Sequence, residues 1–176
     1  MKKKILLYGD PILRKKGRPI KEITPEIRQL VNDMIETMKQ ADGIGLAAPQ
    51  IGESLLLFIT ESPRWDEEKQ DWESHPIRVW INPRVLEISS ETWDHSEGCL
   101  SIPGINGVVR RPFRIVVEAM DLEGNIFRET LEGWPARTFL HENDHIHGVL
   151  YIDRITGKTR QEMEPQLKAI KKKKKF

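Results

Sequence analysis

His141 and His145 stand four residues apart in the segment His141-Glu142-Asn143-Asp144-His145. On a helix that spacing puts both imidazoles on one face, aimed at a single point. Ala136, Phe139, Leu140, Val149 and Leu150 make the surroundings apolar, and ring nitrogens placed in apolar surroundings need polar partners. A metal ion meets that need. Glu142 sits beside the first imidazole, where it can accept a proton from water activated by the metal, which is the working arrangement of an H-E-x-x-H helix. The chemistry predicted is hydrolysis.

A catalytic site of this kind uses three protein ligands and keeps a fourth position open. A third histidine six residues after His145 is ruled out because Tyr151 stands there, although Gly148 would suit that pattern. Glu162 and Glu164 lie downstream in a Lys-rich stretch with Pro165. Cys99, the single cysteine of the chain, sits in Glu97-Gly98-Cys99-Leu100-Ser101, just ahead of Pro103-Gly104. Being alone, it forms no intramolecular disulfide and fits a reducing compartment. The residues by themselves leave Cys99 and the two acids open as the third ligand.

Gly43-Ile44-Gly45-Leu46-Ala47-Ala48-Pro49-Gln50, the Cys99 segment and the His141 segment occur in that order. Together they resemble the three signature motifs of peptide deformylases, and the similarity runs from about Asp10-Pro11-Ile12-Leu13-Arg14 to Leu150-Tyr151-Ile152-Asp153. The resemblance implies an enzyme that removes the formyl group from N-formyl-methionyl nascent peptides and releases formate. It implies a metal held by Cys99, His141 and His145 with Glu142 as general base, and Fe(II) as that metal. A ligand set containing a thiolate also accepts Zn, Ni or Co. By motif match, Gln50 and the backbone N–H of Leu100 are the donors for the oxygen that gains charge during amide hydrolysis.

Gly43, Ile44, Gly45, Gly98 and Trp134 are expected to line the substrate groove, with Gly45 as a main-chain partner and Ile44 and Trp134 walling an apolar pocket for the first side chain. No Gly-Lys-Ser/Thr follows the glycines, which argues against a phosphate cradle. Two positions depart from the family pattern. Trp134-Pro135 stands where many members carry smaller aliphatic or Phe residues, and Asn106 where many bacterial members have Arg. His75, His95 and His147 fall outside the motifs and are read as surface or structural. A generic endopeptidase with the same ligands would share the chemistry, whereas an RNA-binding protein with a vestigial site would account only for the basic C-terminus.

These residues have to be positioned by elements that the rest of the chain supplies. Thr24-Pro25-Glu26 reads as an N-cap, a first-turn proline and a first-turn acid, ahead of Ile27, Leu30, Val31, Met34, Ile35 and Met38 at helical spacing. Strands are expected over Leu55–Thr60, Ile77–Ile81, Val85–Ser90, Phe113–Met120 and Ile126–Leu131, with the polar stretch from Trp65 to Trp72 as a surface loop. Gly133-Trp134-Pro135 starts the motif helix. Strands grouped around one buried helix predict an α+β fold, and the resemblance implies antiparallel sheets wrapped around the metal-binding helix.

The 176 residues suffice for one sizeable core. The reading divides them into a catalytic domain, 1–156, and a basic extension, 157–176, part helical and started or interrupted near Pro165. The formal net charge is only +1, yet Lys171 to Lys175 form an unbroken cationic run. That run suggests contact with ribosomal phosphates. The apolar run Ile5-Leu6-Leu7-Tyr8 is broken at Gly9-Asp10-Pro11, so neither a secretory signal nor a membrane span is expected. A cytoplasmic monomer is the expectation.

Overall fold

Three apolar clusters organise the chain, and the motif helix sits between two of them. The computed structural model describes residues 1–173. Its helices are α1 (Pro25–Gln40), α2 (Trp134–His145) and α3 (Gly157–Lys173). Its strands are β1 (Gly45–Ala47), β2 (Leu57–Thr60), β3 (Pro63–Asp66), β4 (Asp71–Ser74), β5 (Arg78–Ile88), β6 (Thr92–Cys99), β7 (Ile102–Pro112), β8 (Arg114–Met120) and β9 (Ile126–Glu132).

β1, β2, β5, β8 and β9 form one antiparallel sheet in the order β1-β2-β5-β8-β9. The strands of its centre are apolar enough to be covered on both faces: all four residues of β2 are buried. α1 covers one part with Val31, Met34 and Met38, which pack with Leu46, Leu57, Ile59 and Ile81. Its start is fixed as the sequence suggests, with Thr24 Oγ1 accepting from Ile27 N–H at 3.2 Å and Pro25 in the first turn. α2 packs on the same sheet through Ala136, Phe139 and Ile146. The Phe139 ring meets Phe58 at 5.1 Å and Trp80 at 4.9 Å, both edge-on. Such pairs add about 0.5–1.5 kcal/mol each beyond area burial, and they fix the rotation of α2 about its axis.

With Phe139 on the sheet, Arg137, His141 and His145, which recur every four residues, turn the other way, toward the antiparallel hairpin of β6 and β7. The register of that hairpin shifts between Gly98 and Cys99, and a two-residue connection, Leu100-Ser101, follows. A Cβ at Gly98 would lie 2.3 Å from Asn106 Oδ1, so any larger residue there would push the exposed Asn106 side chain aside. The irregularity ends the regular ladder at the cysteine.

Several elements depart from expectation. The stretch from Trp65 to Trp72 is a second hairpin, β3–β4, closed by a Trp65–Trp72 edge contact at 5.6 Å, where a loop was expected. The strands expected at Ile77–Ile81 and Val85–Ser90 are one strand, β5, bent at register shifts near Asn82-Pro83. β6 and β7 carry no expected strand at all, because β6 buries only Glu97 and β7 places Gly107 and Arg111 in its buried alternation.

The C-terminal segment is one helix, α3, running through Pro165 without a break. Pro165 lies on the exposed face, so the carbonyl of Gln161 that loses its helical donor faces water. Met163, Leu167 and Ile170 face inward and share a cluster with Tyr8, Ile105 and Leu150. Of the basic run, Lys174 and Lys175 lie outside the described residues. No helix among the described residues is long and apolar enough to cross a membrane.

Candidate metal centre and substrate cavity

Cys99, at the end of β6, and His141 and His145, on α2, converge: one ligand atom from each lies within 4.8 Å of the others. Cys99 Sγ is 3.2 Å from His145 Nε2. A tetrahedral first-row ion with bonds of about 2.0–2.3 Å to nitrogen and sulfur needs ligand atoms at about such spacings. Glu97 Oε1 lies 2.9 Å from His141 Nδ1, so that nitrogen carries the proton and Nε2 offers its lone pair to the cluster. In the metal-free site burial opposes charge on His141, but hydrogen bonds to Cys99 and Glu97 outweigh it and raise the group to about 10, so a metal that takes the Nε2 lone pair must displace a proton there. Burial lowers His145 far below the ordinary imidazole value, keeping it neutral and ready to ligate. The donor set fits a divalent metal, and among the described residues no other group of His, Cys, Asp and Glu gathers in this way.

Glu97 is itself held by a buried ion network. Arg111 makes two bonds to its carboxylate, at 2.8 Å each, and Arg137 Nη1 makes a third at 2.6 Å. Arg111 continues to Asp144 at 2.8 Å, and Arg154 grips the same Asp144 with two bonds of 2.7 Å. Burial would raise Glu97, but hydrogen bonds from Arg111 and His141 hold it well below the usual carboxylate range.

Gln50 is fully enclosed, and its orientation is set from both ends. Its Oε1 accepts from Ala47 N–H at 2.9 Å, so its Nε2 faces Ser101 Oγ at 3.1 Å and Cys99 Sγ at 3.5 Å. The amide donor thus points at the metal cluster. Glu142 is buried, with Oε1 4.0 Å from His141 Nε2 and no partner among the described residues for Oε2. Burial pushes its carboxyl up to about 7 in the metal-free site.

A cavity of about 440 Å³ opens onto these groups. Gly43, Ile44 and Gly45 form one side, Gly98, Cys99 and Leu100 the other, and Trp134, Thr138, His141 and Glu142 the α2 side. Every residue expected in the site therefore comes together, with His145 behind the cavity wall rather than on it. Trp134 is held by Trp93 at 5.7 Å and His95 at 4.5 Å, edge-on in both cases. His95 is thus a cavity-side support and no ligand, and His75 and His147 bond only backbone carbonyls.

Gly45 has a steric reason to be glycine: a Cβ there would lie 2.7 Å from Glu142 Oε1. Gly45→Ala is expected to displace that carboxylate while leaving the sheet intact. Misplacing a reacting group by about 1 Å costs on the order of 100-fold in rate. Turnover measured beside a thermal melt checks this, and normal turnover would show that Glu142 has room to spare.

Sequence reasoning gave no role to Glu97, Arg111, Arg137 or Asp144. One signal was present. Arg137 precedes His141 by one helical turn in an apolar segment, and an arginine buried on that face must have an acid opposite it.

Comparison with known proteins agrees with this geometry. Residues 2–161 match the family model described as polypeptide deformylase. A protein named peptide deformylase from Dictyoglomus thermophilum is 43% identical over 159 residues, covering 90% of this chain and 96% of the relative. The crystal structure of peptide deformylase from Thermus thermophilus superposes with a TM-score of 0.87 at 38% identity, covering 98% of this chain and 99% of that one. A peptide deformylase structure from Plasmodium falciparum superposes with a TM-score of 0.88 at 33% identity, covering 98% of this chain and 97% of that one.

Proposed function

The chain belongs to the peptide deformylase family, hydrolases that remove the formyl group from the N-terminus of nascent peptides, and from that premise we propose that it does so by a metal-dependent mechanism run by the residues of this cavity. The observation that carries the reading is the convergence of Cys99, His141 and His145 beside a buried, half-unpartnered Glu142. Cys99, His141 and His145 hold one divalent cation, with Fe(II) proposed as the native ion and Zn, Ni or Co as substitutes. The cation supplies Lewis acidity, which lowers the pKa of water from about 16 toward about 7.

Glu142 accepts the proton of the attacking water and returns it to the amine nitrogen as the formyl C–N bond breaks. Formate and a free N-terminus result. Gln50 Nε2–H and the N–H of Leu100 hold the formyl oxygen as it gains charge, a donor role whose loss typically costs about 100- to 1000-fold. The main chain of Gly45 pairs with the extended peptide, flanked by Gly43 and Gly98. Ile44, which is 44% exposed at the cavity mouth, and Trp134 form the walls that receive the methionine side chain. Formate release from formyl-Met-Ala-Ser by metal-loaded protein tests the reading. Cleavage of internal bonds in an N-acetylated peptide, with no formate released, would favour an endopeptidase instead.

We further propose a catalytic unit over 1–156 that acts in the cytoplasm as a monomer, with 157–176 as its basic extension. α3 is pinned by Met163, Leu167 and Ile170 and presents Lys168, Lys172 and Lys173 outward, which suits contact with ribosomal phosphates. Replacing Lys172 through Lys175 by Ser keeps the inward face. It is expected to leave turnover on short peptides unchanged and to weaken ribosome co-sedimentation, with a shallower dependence on salt. Equal sedimentation of both proteins at two ionic strengths would remove the tail from ribosome contact.

A further inference from the structure

Asp42 lines the cavity at its mouth, where α1 gives way to the Gly43-Ile44-Gly45 wall. Of the carboxylates and guanidinium groups along that lining, Glu97, Arg137 and Glu142 are buried, and Asp42 alone is exposed. A substrate entering the cavity can therefore meet its charge.

Two features make an aspartate costly at this position. The chain leaves α1 with Asp42 N–H donating to the Lys39 carbonyl at 3.1 Å and Gly43 N–H to the Met38 carbonyl at 3.0 Å, which puts Asp42 in the left-handed region at φ 53°. Glycine takes that conformation without strain, and asparagine is the usual alternative. The carboxylate also stands at the C-terminal end of a 16-residue helix, where the aligned peptide dipoles present negative charge and disfavour an anion. Neither cost is offset within the fold, because no group among the described residues forms an ion pair or a hydrogen bond with the Asp42 carboxylate. Its use lies in the cavity.

The opposite rim leaves that charge unopposed. Asn106 stands there beside Gly98, and Arg110 is tied to Asp94 by bonds of 2.8 and 3.1 Å. An exposed, unpaired carboxylate attracts a cationic side chain and repels an anionic one, and such repulsion is a means by which a site turns a competitor away. Asp42 precedes Gly45 by three residues, at most about 11 Å along the chain, so the residues that follow methionine are the ones whose side chains pass it.

Resting on the deformylase reading of this cavity, we propose that Asp42 is a specificity-determining residue, drawing a basic side chain at the second or third position of the substrate and turning an acidic one away.

The test compares kcat/KM of the metal-loaded enzyme on C-terminally amidated formyl-Met-Lys-Ala and formyl-Met-Ala-Lys with their glutamate counterparts. Amidation removes a terminal carboxylate that would add its own repulsion. Lysine is expected to exceed glutamate by about 3- to 10-fold in at least one pair, the scale of exposed charge pairs acting with opposite signs. Asp42→Asn keeps the size of the side chain and suits the left-handed backbone, and its lysine-to-glutamate ratio should fall to near one. The variant should melt no lower than the parent, since the end of α1 loses an unfavourable charge. A purely structural role would lower the melting temperature and leave the ratio alone.

A second measurement uses the unaltered protein. Raising salt from about 20 mM to about 500 mM shortens the screening length to about 4 Å, and the ratio should shrink toward one. A ratio near one at low salt, an unchanged ratio or a lower melting temperature in Asp42→Asn, or a ratio indifferent to salt would each overturn the assignment while leaving the deformylase reading intact. Absence of formate release from every peptide would overturn both.

Discussion

Glu142→Gln is expected to retain its metal and lose about 100- to 10,000-fold in turnover, the usual cost of removing a general base. The metal stays because Cys99, His141 and His145 are untouched and Gln keeps the volume beside Gly45. Turnover should fall because an amide cannot accept the proton that the proposed mechanism assigns to Glu142. Stability should move the other way. A carboxyl with one oxygen buried and unpartnered, pushed up to about 7 by burial, is a destabilised group, and a neutral amide of the same shape relieves it. A variant that melts at the same or a higher temperature while turning over poorly is the signature of a site held in strain for function. Elemental analysis beside formate release checks the pair. Near-normal turnover with the metal bound would assign the proton transfer elsewhere.

The contrast between Glu142 and Glu97 shows where sequence reasoning reaches and where it stops. The four-residue spacing of His141 and His145 carries the ligand helix because helical geometry alone dictates a shared face. α1 was equally legible, since its cap, its proline and its apolar spacing agree. Glu97 lies within a motif that can be read, yet its role depends on Arg111 and Arg137, which are 14 and 40 residues away. Nothing local in the chain announces those partners. Strand pairing fails for a related reason. β6 is stabilised by its ladder with β7 and not by an apolar face, so Trp93 to Glu97 show no two-residue alternation of hydrophobicity. α3 was misjudged at Pro165 because the penalty for an internal proline falls on whichever carbonyl it orphans. On the exposed side water answers that carbonyl, while Leu167 and Ile170 hold the helix from within.

Removing the charge of Glu97 is the other large effect expected. In Glu97→Gln the buried Arg111 and Arg137 keep their charges and lose the carboxylate between them, and breaking a buried pair by removing one partner typically costs about 3–5 kcal/mol. Asp144 still answers Arg111, so the burden falls mainly on Arg137, which has no other acid within hydrogen-bonding distance among the described residues. The variant also leaves His141 Nδ1 facing an amide, and losing such a carboxylate partner lowers metal affinity by about 10- to 100-fold. The pH dependence follows from the sign of the shift. Glu97 is held below its unfolded value, so its contribution is fully present above about pH 4.5 and is lost as pH falls through the folded value. The unaltered protein should therefore lose stability on that acid limb, and Glu97→Gln should start lower and show a flatter one. Denaturant midpoints at pH 7 and at pH 3 would separate the two effects. A variant within about 1 kcal/mol of the parent at pH 7, with the same acid limb, would mean that the arginines find compensation without Glu97, and that the network orients His141 without holding the hairpin to α2.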